Sequence, residues 1–211
     1  MRIETLVDLH ISVFHHAWSQ DIYLNGLSPA VKEGVCGALS ALWLAMRGFA
    51  TRAQLAPRQT FLDYIYTESA KSKVQGIQSK SDLSPIDLDV RDTLAGRLLP
   101  FAGYVKGEGM KLAGATVTDA RSVATDMVVN NVGYFLMGFY GSGGGHMMAA
   151  AHFIHEEKII LFDPNYGEFS FTSFQGRLNP NLSFRSFLSA LLSGMYEGEL
   201  SRFFVVLHFQ Y

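Results

Sequence analysis

The chain has one cysteine, and the sequence around it suits a nucleophile. Cys36 lies between Gly34 and Gly37, at the start of an apolar segment with helical spacing, GVCGALSALWL. A thiol in the first turn of a helix faces unpaired N–H groups and the positive end of the helix dipole, and both favour the thiolate. The Cys36 backbone N–H is also free to donate to an oxyanion. The segment is equally compatible with the alternative that Cys36 is a small apolar residue buried in the core.

The chain has seven histidines, and each is a candidate general base for this thiol. His146 follows the glycine-rich run 141–145 and opens a strand of small residues, so we expect its loop to approach another group closely. His152 and His155 form an HxxH pair that suggests a metal site with Asp163. Three-residue spacing in a strand places the two side chains on opposite faces, which argues against such a site. The remaining histidines have no accompanying pattern: His10, His15, His16 and His208.

Asp163 is the expected partner of His146. It closes the apolar strand IILFD, ahead of Pro164 and Asn165, and a hairpin through 155–158 returns it to within a few residues of His146. A carboxylate at this position accepts the histidine Nδ1–H, fixes the tautomer and stabilises the imidazolium. The alternative is a turn residue that only caps the Pro-Asn turn. The sequence does not fix the register of this hairpin, so both interpretations stay open.

Composition limits the class of protein. The 211 residues are 48% hydrophobic and 17% charged, with a net charge of −2, which predicts a folded domain without a nucleic-acid-binding surface. One cysteine excludes an intramolecular disulfide and a cysteine-rich zinc site. No segment reaches the roughly 18 apolar residues of a membrane span, and the N-terminal segment lacks the apolar core of a secretory signal. We therefore expect no transmembrane segment and no conventional cleaved signal peptide.

The hydrophobic pattern changes along the chain. The first part is mostly helical in pattern, and the second contains short apolar strands. The predicted helices are Cys36–Arg47 with Gly48 as its stop, one from Thr60 carrying Phe61, Ile65 and Tyr66, Ser84–Leu99, one from Thr118 or Asp119, and Ser183–Met195. The polar segment Ala70–Ser84 is predicted as a loop. The predicted strands are Gly133–Tyr140, Met147–Ile154, Ile159–Asp163, Glu168–Thr172 and Arg202–Phe209.

This order predicts an α+β fold. We expect an N-terminal helical half, about 1–130, packed against a C-terminal mainly antiparallel sheet, about 131–211. The cysteine starts a helix of the first part, while the histidine and the aspartate lie at strand ends of the second. A cleft between the two halves would bring the three side chains together.

Three segments, in this order, resemble the YopT/AvrPphB family of bacterial effector cysteine proteases. They are GVCGALSALWL around Cys36, GHMMAAAHF starting at Gly145 and LFDPNYGEF around Asp163. The resemblance implies a papain-like fold and a catalytic triad of Cys36, His146 and Asp163. It also implies a single papain-like cysteine hydrolase domain over residues 1–211, with no cofactor.

The resemblance further implies a cysteine endopeptidase that forms an acyl-enzyme. Its expected substrate is a host protein, such as a prenylated Rho GTPase or a kinase of host signalling. We expect a monomer, secreted without a classical signal peptide and acting in the host cell cytosol.

The chain departs from the papain-like pattern at the oxyanion donor. Papain-like enzymes usually have a Gln or Asn a few residues before the nucleophile, but 28–33 (SPAVKE) contains neither, and the nearest amide is Asn25. Gly34, Gly37 and Lys32 are the candidate substrate and oxyanion residues. Two other functions therefore stay open. One is a deamidase, acyltransferase, transglutaminase or amidase that uses the same triad, and the other is a non-catalytic binding module.

Overall fold

The computed structural model describes residues 2–10, 13–25, 35–52, 61, 64–78, 105–113, 117–141, 144–173, 179–196 and 203–210. No helix in these ranges is long and apolar enough to cross a membrane. Their helices are α1 Ile3–Asp8, α2 Gln20–Leu24, α3 Cys36–Arg52, α4 Glu68–Gln78, α5 Val117–Asn130 and α6 Pro180–Met195. Their strands are β1 Val13–Ala17, β2 Val105–Ala113, β3 Gly133–Gly141, β4 Gly144–Phe153, β5 Lys158–Asp163, β6 Gly167–Thr172 and β7 Phe203–Gln210.

The strands form one antiparallel sheet in the order β1-β6-β5-β4-β3-β7-β2. Its centre is the meander from β3 to β6, in which each strand pairs with the next along the chain. A short 3₁₀ turn, Ile154–Glu156, joins β4 to β5. The register places Ala149 of β4 opposite Phe162 of β5, so Asp163 at the end of β5 comes close to the start of β4.

The sheet is covered on both faces. Successive side chains of a strand point to opposite faces, so the central strands contribute to two hydrophobic clusters. In the first cluster Leu136, Ala149 and Phe162 pack with α3, where Trp43 stacks on Phe162 with ring centroids 5.6 Å apart. In the second cluster the adjacent residues Phe135, Ala150 and Leu161 pack with α1, α5 and α6. The helix that begins at Cys36 is therefore fixed to one face only.

The predicted α+β order and the mainly antiparallel sheet are confirmed. The five predicted strands and the helices beginning at Cys36, near Thr118 and near Ser183 are all present, with ends that differ by a few residues. Gly48 does not stop α3, which continues to Arg52, because one glycine inside a helix costs only about 1 kcal/mol. Phe61 and Ile65 of the second predicted helix are helical and buried. The helix Ser84–Leu99 lies outside the described residues.

Two parts of the prediction are wrong. The loop expected over Ala70–Ser84 is helical as far as Gln78, because Ala70 and Val74, four residues apart, bury a narrow stripe of α4. Residues 79–84 lie outside the described ranges. The segment expected to be helical also supplies the sheet strands β1 and β2. Because β1 pairs with β6, about 150 residues away, it has little local signal.

Gly167 gives a testable prediction for the junction of β1 and β6. Its φ is +108°, and a Cβ there would lie 2.1 Å from the His16 carbonyl oxygen and 2.7 Å from the Trp18 backbone nitrogen. Gly167→Ala should lower the free energy of unfolding by about 3 kcal/mol or more, measured by urea denaturation. Gly76→Ala is the matched control, because within the described ranges no atom from outside its own turn of α4 lies within 4 Å of its Cβ position. This substitution should raise stability by about 0.5–1 kcal/mol. Equal effects of the two substitutions would contradict the steric argument.

Candidate active site

Cys36 occupies the first turn of α3. The first helical hydrogen bond runs from the Leu39 N–H to the Val35 carbonyl, at 2.8 Å, so the thiol lies at the N-terminal end of the helix. The side chain is 8% exposed. The backbones of Gly37 and Met147 hydrogen-bond the sulfur, and one turn along the helix Ser40 Oγ donates to the Met147 carbonyl at 3.1 Å. The start of α3 is thereby tied to the start of β4.

His146 and Asp163 form a buried pair across β4 and β5. His146 Nε2 donates to Asp163 Oδ1 at 2.9 Å, and the carboxylate is completely inaccessible to solvent. The sequence analysis expected the Nδ1–H at this bond. The structure uses the other ring nitrogen, Nε2, which leaves Nδ1 available for a second partner. Cys36 in turn hydrogen-bonds His146. The structure thus brings the three predicted residues together.

Asp163 also serves the turn that follows it. The Asn165 N–H donates to Asp163 Oδ1 at 2.8 Å, so the two alternatives for this residue, a turn cap and a partner of His146, hold at the same time. Gln20 of α2 supports the turn, because its N–H donates to the Pro164 carbonyl at 2.7 Å and its Nε2 contacts Asn165 Oδ1. Sequence reasoning missed Gln20, since no pattern links α2 to a turn so distant in the chain.

Tyr196 completes the environment of the carboxylate. Its hydroxyl donates to Asp163, with oxygen–oxygen distances of 2.9 Å to Oδ2 and 3.1 Å to Oδ1, and accepts from Asn165 Nδ2 at 3.0 Å. Its ring stacks on the His146 ring, with centroids 4.9 Å apart and planes 23° apart. Sequence analysis did not find Tyr196, whose only local signal is a position just after a predicted helix.

The charges of the site favour an ion pair. Burial alone would raise the pKa of Cys36, but the hydrogen bond and the charge of His146, with the two backbone groups, outweigh burial and lower it below its ordinary value. Burial alone would likewise lower the pKa of His146. The Asp163 carboxylate, together with Cys36, raises it instead, to about 10. Between these two pKa values the stable form is a thiolate beside an imidazolium.

Of the three candidate oxyanion residues, Gly37 alone lies within the described ranges. Gly37 lies in the first turn of α3 with its backbone at the sulfur, whereas Lys32 and Gly34 lie outside the described residues. Asn25, the nearest amide in sequence before the nucleophile, is the C-cap of α2. The described residues therefore supply a helix N-terminus at the thiol.

The competing histidines have other contacts. His10 Nδ1 lies 2.8 Å from the Leu6 carbonyl, His15 Nε2 lies 2.8 Å from the Tyr166 carbonyl, and His152 Nδ1 lies 2.9 Å from the Val128 carbonyl. His155 is exposed in the 3₁₀ turn. Across the described ranges, no three His, Cys, Asp or Glu side chains are grouped so that they could hold a metal ion. Within these ranges, His152 and His155 therefore have no third side chain with which to bind a metal ion.

A buried ion pair fixes α3 to the strand beyond the Asp163 turn. Arg47 donates to Glu168 Oε2 at 2.6 Å, and Trp43 Nε1 donates to the same oxygen at 3.0 Å. The guanidinium also lies 4.5 Å from the centre of the Trp43 ring. The glutamate of the segment LFDPNYGEF therefore holds the helix that carries the thiol.

Comparison with known proteins identifies the family. The model of the Peptidase_C58 family, described as Yersinia/Haemophilus virulence surface antigen, matches residues 10–211. The chain belongs to this family. Its membership confirms the resemblance that the three segments indicated and supports assignment as a bacterial effector cysteine peptidase. No curated protein sequence matches the chain.

Solved structures show the fold. The crystal structure of the Pseudomonas avirulence protein AvrPphB matches with a TM-score of 0.58 and 17% sequence identity, over 88% of this chain and 98% of that one. This likeness confirms the predicted papain-like fold. The YopT domain of the Pasteurella multocida PfhB2 toxin matches over 88% of each chain at 18% identity, with a TM-score of 0.34, too low to compare the folds in detail.

Proposed function

We propose that this chain is a cysteine endopeptidase that acts on a host protein, with Cys36 as nucleophile, His146 as general base and acid, and Asp163 as the residue that orients His146. The observation that carries the proposal is the hydrogen-bonded series from the buried carboxylate through His146 Nε2 to the thiol at a helix N-terminus. The family membership supports peptide bonds as the substrate class.

The proposed reaction has two stages. The Cys36 thiolate attacks the peptide carbonyl carbon, and the Cys36 and Gly37 N–H groups at the start of α3 face the developing oxyanion. The imidazolium then gives its proton to the leaving amine, and the C–N bond breaks to leave a thioester. Water attacks the thioester while His146 takes one of its protons. The acid product leaves, and the thiolate–imidazolium pair is restored.

The setting of this reaction is part of the proposal. We infer a monomeric single domain that is secreted without a classical signal peptide and cleaves a signalling protein in the host cytosol. Gly34 and Lys32 remain candidates for contacts with the substrate, because they lie two and four residues before the nucleophile in sequence. Lys32 supplies a positive charge close in sequence to the nucleophile, and a positive charge is the kind of group that stabilises an oxyanion.

The experiment is a search for new protein ends. The purified chain is incubated with a eukaryotic cell lysate, and newly formed N-termini are identified by mass spectrometry, with Cys36→Ser as the matched control. We expect internal cleavage sites that depend on Cys36. A Cys36-dependent gain of about one mass unit without cleavage would replace hydrolysis of peptides by deamidation. Proteins retained equally by both forms, and left unmodified, would favour a binding module.

A further inference from the structure

Tyr196 is the group next to the proposed triad that the reaction itself does not use. It is buried, and it lies directly after α6, the helix that covers the opposite face of the sheet from α3. Its ring covers one face of the His146 ring and so keeps water away from the bond between His146 and Asp163. This contact alone would be compatible with simple packing.

The hydroxyl does more than pack. Asp163 Oδ1 accepts from His146 and from the Asn165 N–H, whereas the sole hydrogen-bond donor to Oδ2 within the described part of the chain is Tyr196. A buried carboxylate oxygen without a donor is strongly disfavoured, so this bond fixes the rotation of the carboxylate. The hydroxyl oxygen also lies 3.1 Å from His146 Nε2, on the side of the imidazolium proton.

The hydroxyl is itself held in place. Asn165 Nδ2 donates to its oxygen, which directs the hydroxyl proton toward the carboxylate. Burial, followed by the charge of Asp163, raises the pKa of Tyr196, so the hydroxyl keeps its proton throughout the range in which the ion pair exists. The donor to Asp163 is thus permanent.

We propose that Tyr196 is a positioning residue, whose hydroxyl holds the Asp163 carboxylate against His146 and thereby maintains the thiolate–imidazolium pair. The inference rests on the proposed function, and it adds a fourth side chain to its machinery. Tyr196 touches neither substrate nor thiol in this scheme and acts only through Asp163 and His146.

The test is the pH dependence of Cys36 alkylation by iodoacetamide, measured from pH 4 to 10 by intact mass. Tyr196→Phe keeps the ring and removes the hydroxyl. Without its donor the carboxylate holds the imidazolium less firmly, so Cys36 takes up its proton at higher pH. The acid limb of the profile is the pH range in which the alkylation rate falls as Cys36 becomes protonated. We expect this limb to move up by about one pH unit. A purely packing role would leave this limb in place.

The control is Tyr23→Phe, because Tyr23 is also a buried tyrosine but its hydroxyl has no hydrogen-bond partner among the residues that the structure describes. Its acid limb should match that of the wild type, and an equal shift in both variants would overturn the proposal. An unshifted limb in Tyr196→Phe would also overturn it while leaving the proposed triad intact. A wild-type profile that follows an ordinary thiol would overturn the triad and the inference together.

Two further variants keep the test decisive if Tyr196→Phe folds poorly. Asn165→Ala removes the donor that orients the hydroxyl and should move the acid limb in the same direction by a smaller amount. An unchanged limb there would contradict the proposal. In an Asp163→Asn background, adding Tyr196→Phe should cause no additional shift, because the hydroxyl acts through the carboxylate. An additive shift would assign the effect to another contact.

Discussion

Replacing His146 with alanine should reduce the rate of Cys36 alkylation at pH 5 by about 10–100-fold. In the wild type the hydrogen bond and the charge of His146 outweigh burial and lower the pKa of Cys36, so more of the sulfur is ionised in acid than in an ordinary thiol. In the variant the imidazolium is lost and burial of the thiol remains, so its pKa rises to the ordinary range or above. The loss in rate is smaller than the loss in thiolate, because a thiolate of higher pKa is intrinsically more nucleophilic.

The shape of the pH profile is more decisive than any single rate. The wild-type rate should change little with pH in the range below 8.5 where an ordinary thiol is mostly protonated, whereas the rate of His146→Ala should rise about tenfold per pH unit toward pH 8.5. His155→Ala is the matched control, because His155 is exposed in the 3₁₀ turn. Its profile should follow that of the wild type. Two superimposable profiles for wild type and His146→Ala would remove the thiolate–imidazolium pair from the account.

Removing Glu168 should have the largest effect on stability. Arg47 is 3% exposed and Glu168 is 9% exposed, so Glu168→Ala leaves a guanidinium buried without its carboxylate. We expect a loss of about 3–5 kcal/mol in the free energy of unfolding, measured by urea denaturation monitored by circular dichroism. The same substitution removes the acceptor of the Trp43 indole N–H, which adds to the loss.

The control for this prediction is an exposed ion pair. Glu68 contacts Lys71 at 2.8 Å, and the Glu68 side chain is 88% exposed, so Glu68→Ala should change stability by less than about 1 kcal/mol. The double variant Arg47→Met, Glu168→Leu should recover much of the loss, because apolar side chains of similar volume replace both buried charges. A double variant as unstable as Glu168→Ala would assign the loss to packing instead of charge.

The elements that carry the proposed triad could be predicted because their signals are local. Cys36 opens an apolar helical segment, and Asp163 ends an apolar strand before a turn, so composition and spacing were sufficient for both. The hairpin between β4 and β5 is short, which made the approach of His146 and Asp163 predictable from the chain order.

The remaining contacts could not be predicted because they depend on pairing between distant segments. β1 is stabilised by β6, and Gln20 contacts a turn 145 residues away. Tyr196 reaches Asp163 across 33 residues, with no motif around it. The choice of Nε2 over Nδ1 at Asp163 depends on the rotation of a side chain that only the folded core fixes. Each of these features is determined by tertiary packing and not by the local sequence.

The candidate site depends on contacts from both packed faces of the sheet, and this determines when the thiol becomes reactive. Cys36 packs in the first cluster, together with the rest of α3, while Tyr196 belongs to the second cluster, on the other face of the sheet. The contacts that join them span 107 residues from Ser40 to Met147 and 50 residues from His146 to Tyr196. Contacts of such separation form late in folding, because long loops must close first. A nascent or unfolded chain therefore carries an ordinary thiol. The thiol becomes an activated nucleophile only after both faces of the sheet have packed.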